Sequence, residues 1–227
     1  MELTHYGHAC VLAEVTGEAG VARVLFDPGA YSRDFEELRD LDLILITHAH
    51  PDHADAERIT KLMADNPQAH LVLGPDTLAA LDDRLEERAH VVEPGDKLSL
   101  RGLDLVVTGG THACIHPALP ASPNRGFILN GSLFHPGDAF DQPPNQVEIL
   151  LLPTGGPWMK VGEAIDYLRA VGPRSAVPIH QAGLAEVHQQ MHMQLLMKLA
   201  PTDTEVVVLE HASPHAFPKA DGAHSGG

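Results

Sequence analysis

The stretch Ile46-Thr47-His48-Ala49-His50-Pro51-Asp52-His53-Ala54-Asp55 (ITHAHPDHAD) decides how the chain is read. It places three histidines and two aspartates directly after the apolar run Leu43-Ile44-Leu45-Ile46. That run reads as a fully buried strand. Beyond it, residues 55–64 take helical spacing, with Ile59, Leu62 and Met63 on one stripe. The histidines therefore sit on a loop at the end of a strand, held by rigid elements on both sides. His48 and His50 can point to one side, while Asp52 and His53 reach a second position close by. Imidazole and carboxylate groups so placed make half-shells around two metal ions, and the missing ligands must come from elsewhere in the chain.

Three residues answer that search, each at the end of an apolar strand. His112 follows Leu105-Val106-Val107-Thr108 and the pair Gly109-Gly110. Asp138 closes His135-Pro136-Gly137-Asp138, after a strand at 132–135. His180 ends Ala176-Val177-Pro178-Ile179. Nearby Gly and Pro residues allow the sharp turns and close backbone approach that a metal site needs.

The rest of the chain supplies the scaffold. Residues 9–15 and 21–26 read as strands joined by a turn at 16–20, and 71–73 as a short strand. Leu78, Leu81 and Leu85 put a helix at 76–85. Residues 98–100 and 103–108 form a hairpin around Arg101-Gly102. Residues 126–129 and 132–135 form another across Asn130-Gly131, the strongest short hairpin signal. Strands follow at 148–152, 175–179 and 205–209. Helices lie at 161–171, closed by Gly172-Pro173, and at 185–199. The expectation is one domain over residues 1–212 and a loose tail over 213–227. Two packed sheets with helices outside would bury these runs, an arrangement that layer rules permit without forcing.

The ordered pattern H-x-H-x-D-H, lone His, lone Asp, lone His resembles the metallo-β-lactamase fold superfamily, over nearly the whole chain. The segments Gly7-His8-Ala9, Asn124-Arg125-Gly126-Phe127, His135-Pro136-Gly137-Asp138 and Leu152-Pro153-Thr154-Gly155-Gly156-Pro157 are similar to the branch that includes ascorbate-6-phosphate lactonase. The resemblance implies an α/β chain folded as a four-layer αββα sandwich, two mixed sheets with helices on the outer faces. It implies a dinuclear site at one edge. His48, His50 and His112 would hold one metal, Asp52, His53 and His180 the other, and Asp138 would bridge them. Zinc suits this set first, and manganese, iron or nickel are alternatives. Two ions ~3.5–4 Å apart share a water and lower its pKa to about 7, giving a hydroxide that attacks a carbonyl or phosphoryl centre. Asp52 is the residue to orient that nucleophile.

Bulk properties narrow the function. Fifteen Lys plus Arg against 31 Asp plus Glu give a net charge of −16, which repels nucleic-acid backbones. The expected partner is a small molecule, an anionic one included because metal ions reverse the local sign. Two cysteines, an N-terminus without a basic-then-apolar leader, and no apolar run of roughly 18 residues point to a cytoplasmic protein off the membrane. A homo-oligomer is compatible with this sequence.

Sixteen histidines require sorting by position. His8 and His116 are candidates to touch substrate, as are Trp158 as an apolar wall and Lys160 as an anion-attracting group. His135 closes a turn. His188 and His192, four apart on a helix, read as surface, and His211, His215 and His224 as tail residues without a role. Cys114 is expected to be buried packing. The reading is a metal-dependent hydrolase of a small ester, lactone or phosphoester. Its rivals are a nuclease or phosphodiesterase of the same fold and a non-catalytic metal- or metabolite-binding module.

Overall fold

The computed structural model describes residues 1–17 and 20–218. Among them, two sheets of seven strands each carry the architecture. The first begins with three antiparallel strands, β1 (Glu2–His5), β2 (Val11–Gly17) and β3 (Gly20–Phe26). It continues in parallel through β4 (Leu43–Leu45), β5 (His70–Leu73) and β6 (Ala89–Val91). The second runs antiparallel from β7 (Lys97–Leu100) and β8 (Leu103–Thr111) to β9 (Pro123–Leu129) and β10 (Leu133–His135). It then turns parallel through β11 (Ile149–Pro153), β12 (Ser175–Ile179) and β13 (Glu205–Val206). The last strand, β14 (Pro214–Ala216), pairs antiparallel with β1 at the edge of the first sheet.

Side-chain alternation explains why the central strands β4, β11 and β12 are largely apolar. Leu43 and Leu45 enter the core between the sheets, where they meet Phe127, Leu129 and Leu151. Ile44 and Ile46 face the other way, onto Ile59, Leu62 and Met63 of helix α1 (Ala56–Asp65). In the second sheet Leu151 and Val177 point inward. Leu150, Leu152 and Ala176 point outward, onto helices α3 (Val161–Val171) and α4 (Glu186–Leu199). A strand buried on both faces reads as a continuous apolar run. Each fully buried Leu or Ile contributes about 1.5–3 kcal/mol of transfer free energy. The layers are thus helix, sheet, sheet, helix, the αββα sandwich expected from the resemblance.

Local signals hold where they are strong. Asn130 and Gly131 both take positive φ, 51° and 64°, as the tight hairpin turn demands. Gly172 ends α3 in the left-handed conformation. Asp55 caps α1, its side chain accepting from the Arg58 N–H at 3.1 Å.

Three expectations are corrected. The helix at 76–85 is instead a single turn, α2 (Pro75–Leu78), and a 3₁₀ helix over Asp83–Arg88. Asp82 caps the second piece by accepting from the Arg84 N–H at 2.9 Å, and that separate start breaks the helix while Leu81 and Leu85 stay buried. The strand at 205–209 shortens to Glu205–Val206. The tail is not loose from 213: β14 pairs with β1 and Phe217 is buried against the inter-sheet core. Residues 219–227, with His224, and residues 18–19 of the first turn lie outside the described residues. Among the described residues no helix is long and apolar enough to cross a membrane.

Candidate metal centre

The seven proposed ligands converge at one end of the sandwich. His48 to His53 leave β4 on the loop before α1. His112 follows β8, Asp138 follows β10, and His180 follows β12. Backbone hydrogen bonds tie these loops together. The Arg125 N–H donates to the Thr47 carbonyl at 2.9 Å, Ala113 N–H to the Asp138 carbonyl at 2.8 Å, and His180 N–H to the His8 carbonyl at 2.8 Å. The ligand loop also folds on itself, with the His53 and Ala54 N–H groups donating to the His50 carbonyl at 2.9 and 2.8 Å.

Donor atoms within 4.8 Å of one another fall into three overlapping groups. One is His48, His50 and His112; another is His48, His53 and Asp138; the third is His8, Asp52, His53 and His180. Asp138 sits between them. Its Oδ1 lies 3.2 Å from His53 Nε2, and its Oδ2 lies 2.9 Å from His180 Nε2 and 3.3 Å from His112 Nε2.

Other partners fix which imidazole nitrogen faces inward. His53 Nδ1 stands 2.7 Å from the Asp27 carboxylate, His112 Nδ1 2.6 Å from the Ala113 carbonyl, and His180 Nδ1 against the Gly155 carbonyl. Each Nδ1–H donates to its oxygen, so each Nε2 turns a lone pair toward Asp138. His53 Nε2, His112 Nε2, His180 Nε2 and Asp138 Oδ1 are buried and have no hydrogen-bond partner. Lone pairs facing a carboxylate at about 3 Å repel, and each unpartnered buried atom costs about 1–3 kcal/mol. A divalent cation removes both penalties. The donor set, imidazole with carboxylate, is that of zinc and its first-row neighbours. The residues fit a divalent metal.

In the metal-free protein a proton on His53 takes the place of part of that cation charge. Burial would lower His53, but the Asp138 and Asp27 carboxylates beside it raise its pKa well above the usual histidine value. Burial would raise Asp138, and the surrounding imidazoles bring it well below the usual carboxylate range. Asp52 is less enclosed. Burial opposes its ionisation, yet the hydrogen bond from His8 and the nearby imidazoles bring it to about 2. The His8 Nε2 to Asp52 Oδ2 distance is 3.0 Å.

The ends of the strands enclose a cleft of about 410 Å³ lined by His8, Asp52, Asp138, Trp158 and His180. A larger cavity of about 620 Å³ opens at the opposite ends of β11 and β12, near Ile149 and Ser175, and holds none of the seven ligand candidates. Convergent donors, not volume, locate the chemistry.

Of the proposed substrate contacts, His8 and Trp158 line the metal cleft, and His116 lines a neighbouring one. The Trp158 indole donates to Asp138 Oδ2 at 2.9 Å. Lys160 lines neither cleft; it is exposed at the start of α3, where its backbone N–H donates to Glu163 Oε2 at 2.6 Å. Cys114 is exposed, against the expectation of burial, because the loop beyond His112 runs over the surface. His135 closes its turn by accepting from the Gly137 N–H at 3.0 Å. His188 is exposed, while His192 donates from Nδ1 to the Thr154 carbonyl at 2.8 Å. His211 reaches Asp34 at 2.7 Å, and His215 is exposed on β14.

The reading of the sequence missed Asp27. This fully buried residue follows β3, and besides His53 its carboxylate accepts from the Thr47 N–H and hydroxyl, both at 2.8 Å. The signal was available: Asp27-Pro28-Gly29 follows an apolar strand, as the ligand candidates do.

Comparisons with known proteins agree with this geometry. The family described as "Beta-lactamase superfamily domain" matches residues 2–180. A protein of Mycobacterium tuberculosis is 45% identical over 93% of this chain and 99% of its own length. A UPF0173 metal-dependent hydrolase of Thermoplasma acidophilum is 30% identical over 79% of this chain and 83% of its own. Among solved structures, a metallo hydrolase of Ignicoccus hospitalis superposes with a TM-score of 0.67 at 22% identity, covering 96% of this chain and 99% of that one. The metallo-β-lactamase fold protein YhfI of Bacillus subtilis gives 0.68 at 13% identity, over 94% and 98%. With the family matched across both sheets and the donors gathered at the strand ends, this chain belongs to the metallo-β-lactamase-fold hydrolase superfamily.

Proposed function

We propose that the chain is a metal-dependent hydrolase holding two divalent ions, zinc first, and cleaving a small ester, lactone or phosphoester. The observation that carries this reading is the set of three buried Nε2 atoms without a hydrogen-bond partner on His53, His112 and His180, each within 3.3 Å of the Asp138 carboxylate. His48, His50 and His112 would hold one ion, Asp52, His53 and His180 the other, with Asp138 shared. When bound, such ions activate water and neutralise negative charge developing on the substrate.

The chain's own groups do the positioning. Asp27 holds the His53 ring with Nε2 inward, and the Ala113 and Gly155 carbonyls do the same for His112 and His180. His8 holds the Asp52 carboxylate, which stays ionised and opens on the cleft. Asp52 is therefore an ionised carboxylate at the cleft, placed to accept a hydrogen bond from the attacking water and orient it. Trp158 walls the cleft and fixes Asp138 by its indole N–H.

The test is turnover of chromogenic acyl esters and phosphodiesters by metal-reconstituted protein and by Asp52→Ala. The expected result is turnover abolished by chelation, restored by metal, and lowered at least about 100-fold in Asp52→Ala with its circular dichroism unchanged. A metal-replete protein silent across the panel would favour the metal- or metabolite-binding module instead.

A further inference from the structure

The metal cleft has a second lobe. A cavity of about 400 Å³ lies under the loop 113–122 and shares His50, His112 and Ile115 with the cleft of about 410 Å³ that holds Asp52 and Trp158. His50 and His112 thus form a ridge with a space on either side.

Both lobes have apolar walls, but the metal cleft holds the Asp52 and Asp138 carboxylates and the lobe under the loop holds none. The one under the loop is walled by Ile115, Pro117, Leu119 and Pro120. Ile115 and Leu119 remain 42% and 55% exposed, an apolar surface without a cover among the described residues. Neither lobe is lined by a lysine or arginine. The chain as a whole carries −16. A phosphorylated or carboxylated side group would find no side-chain cation in either lobe, whereas a hydrocarbon group would cover apolar walls. On the other side of the ridge stands the Asp52 carboxylate, which accepts from His8 at 3.0 Å.

We infer that the substrate is an uncharged carboxylic ester or lactone whose hydrocarbon acyl portion occupies the lobe under loop 113–122 and whose alkoxy side faces Asp52. The inference rests on the hydrolase reading above. The orientation follows from the reaction. The oxygen of water bonds to the acyl carbon, the bond from that carbon to the alkoxy oxygen breaks, and the alkoxy oxygen takes up a proton. The products are an alcohol and a carboxylate, with one proton released to solvent. The hydroxyl of the departing alcohol finds an acceptor in the Asp52 carboxylate and no carboxylate in the lobe under the loop, which leaves the acyl chain for the apolar lobe. Ile115 and Leu119 are then the residues that set acyl length.

The experiment uses the full chain, reconstituted with zinc or manganese, on p-nitrophenyl acetate, butyrate, hexanoate and octanoate and on bis(p-nitrophenyl) phosphate. The expected result is a kcat/KM that rises by up to about fourfold per methylene until the lobe is filled, with acyl esters preferred over the phosphodiester. In Leu119→Asp and Ile115→Asp the ratio of hexanoate to acetate falls at least fivefold. Both side chains are substantially exposed, so the folded state tolerates the change. Metal-dependent turnover that is flat in acyl length, that favours the phosphodiester, or whose length dependence survives both substitutions overturns the inference and leaves the hydrolase reading standing. Absence of metal-dependent turnover on every substrate overturns both.

Discussion

Asp27 and His53 form a fully buried pair, the carboxylate Oδ2 lying 2.7 Å from the imidazole Nδ1. The same oxygen accepts the Thr47 hydroxyl at 2.8 Å and lies 3.3 Å from His135 Nε2. The pair orients a ring of the proposed ligand set from a residue outside that set. Such partners typically contribute 10–100-fold to metal affinity. Asp27→Asn is therefore expected to weaken binding of one of two ions by about that factor, read by competition with a chromogenic chelator. Unchanged affinity for both ions would mean that His53 is not a ligand.

Gly29 lies two residues further along the same turn. A Cβ built on it would stand 1.8 Å from the Asp52 carbonyl oxygen, which is backbone and cannot swing aside. Gly29→Ala must push the Asp52-His53 segment away from the site. Overpacking of this kind costs about 1–3 kcal/mol. The expected outcome is a lowered melting temperature together with loss of one equivalent of metal, measured on the same sample. A variant that keeps both would contradict the close packing of the two loops.

Protons should compete with folding of the metal-free protein. Burial lowers His5, His48 and His135, and lowers His8 to about 4. In the unfolded chain these groups titrate near 6.5. The unfolded state then takes up protons first. The stability they contribute is complete above about pH 6.5 and is lost as pH falls toward the folded values. His8 alone accounts for about 2 kcal/mol between pH 7 and pH 5. His53 is raised and acts in the opposite sense, with its contribution present below about 6.5 and lost as pH rises through its folded value, so it offsets part of the loss. Urea unfolding of chelated protein is expected to show lower stability at pH 5 than at pH 7. Equal or greater stability at pH 5 would contradict the burial of these imidazoles in neutral form.

Trp158 offers a direct optical reading, since it is the single tryptophan and its indole N–H donates to Asp138. Metal titrated into metal-free protein is expected to change its emission up to a stoichiometric end point. Trp158→Phe removes a hydrogen bond to a charged group, worth about 1.5–3 kcal/mol, and is expected to weaken metal binding at least about tenfold. An emission that ignores metal would separate Trp158 from the centre.

The candidate site was legible in the sequence where its logic is local. His48 to His53 lie on one loop, and His112, Asp138 and His180 each follow an apolar strand directly. Asp27 obeys the same rule after β3, but an Asp before Pro-Gly also describes an ordinary turn, and its partner is 26 residues away. Pairing at sheet edges was equally hidden. Strands β1 and β14 are short and find each other across nearly the whole chain, so neither shows as a run by itself. The leucine stripe at 78, 81 and 85 was misleading because Leu78 in the first piece, Leu81 between the pieces and Leu85 in the second all pack on the same cluster without one continuous helix. Lys160 was placed by its proximity to Trp158 in sequence and Cys114 by the usual burial of a free cysteine, and the segments carrying them turn outward.

The central claim is a bridged pair of metal ions on Asp138, and it is tested most directly by counting metal. Protein purified without chelator, native and Asp138→Ala, is analysed for metal per chain, with circular dichroism confirming that both are folded. The account predicts about two ions in the native protein, falling to one or none in the variant. No bound metal in the native protein after reconstitution, or an undiminished two in Asp138→Ala, would contradict it.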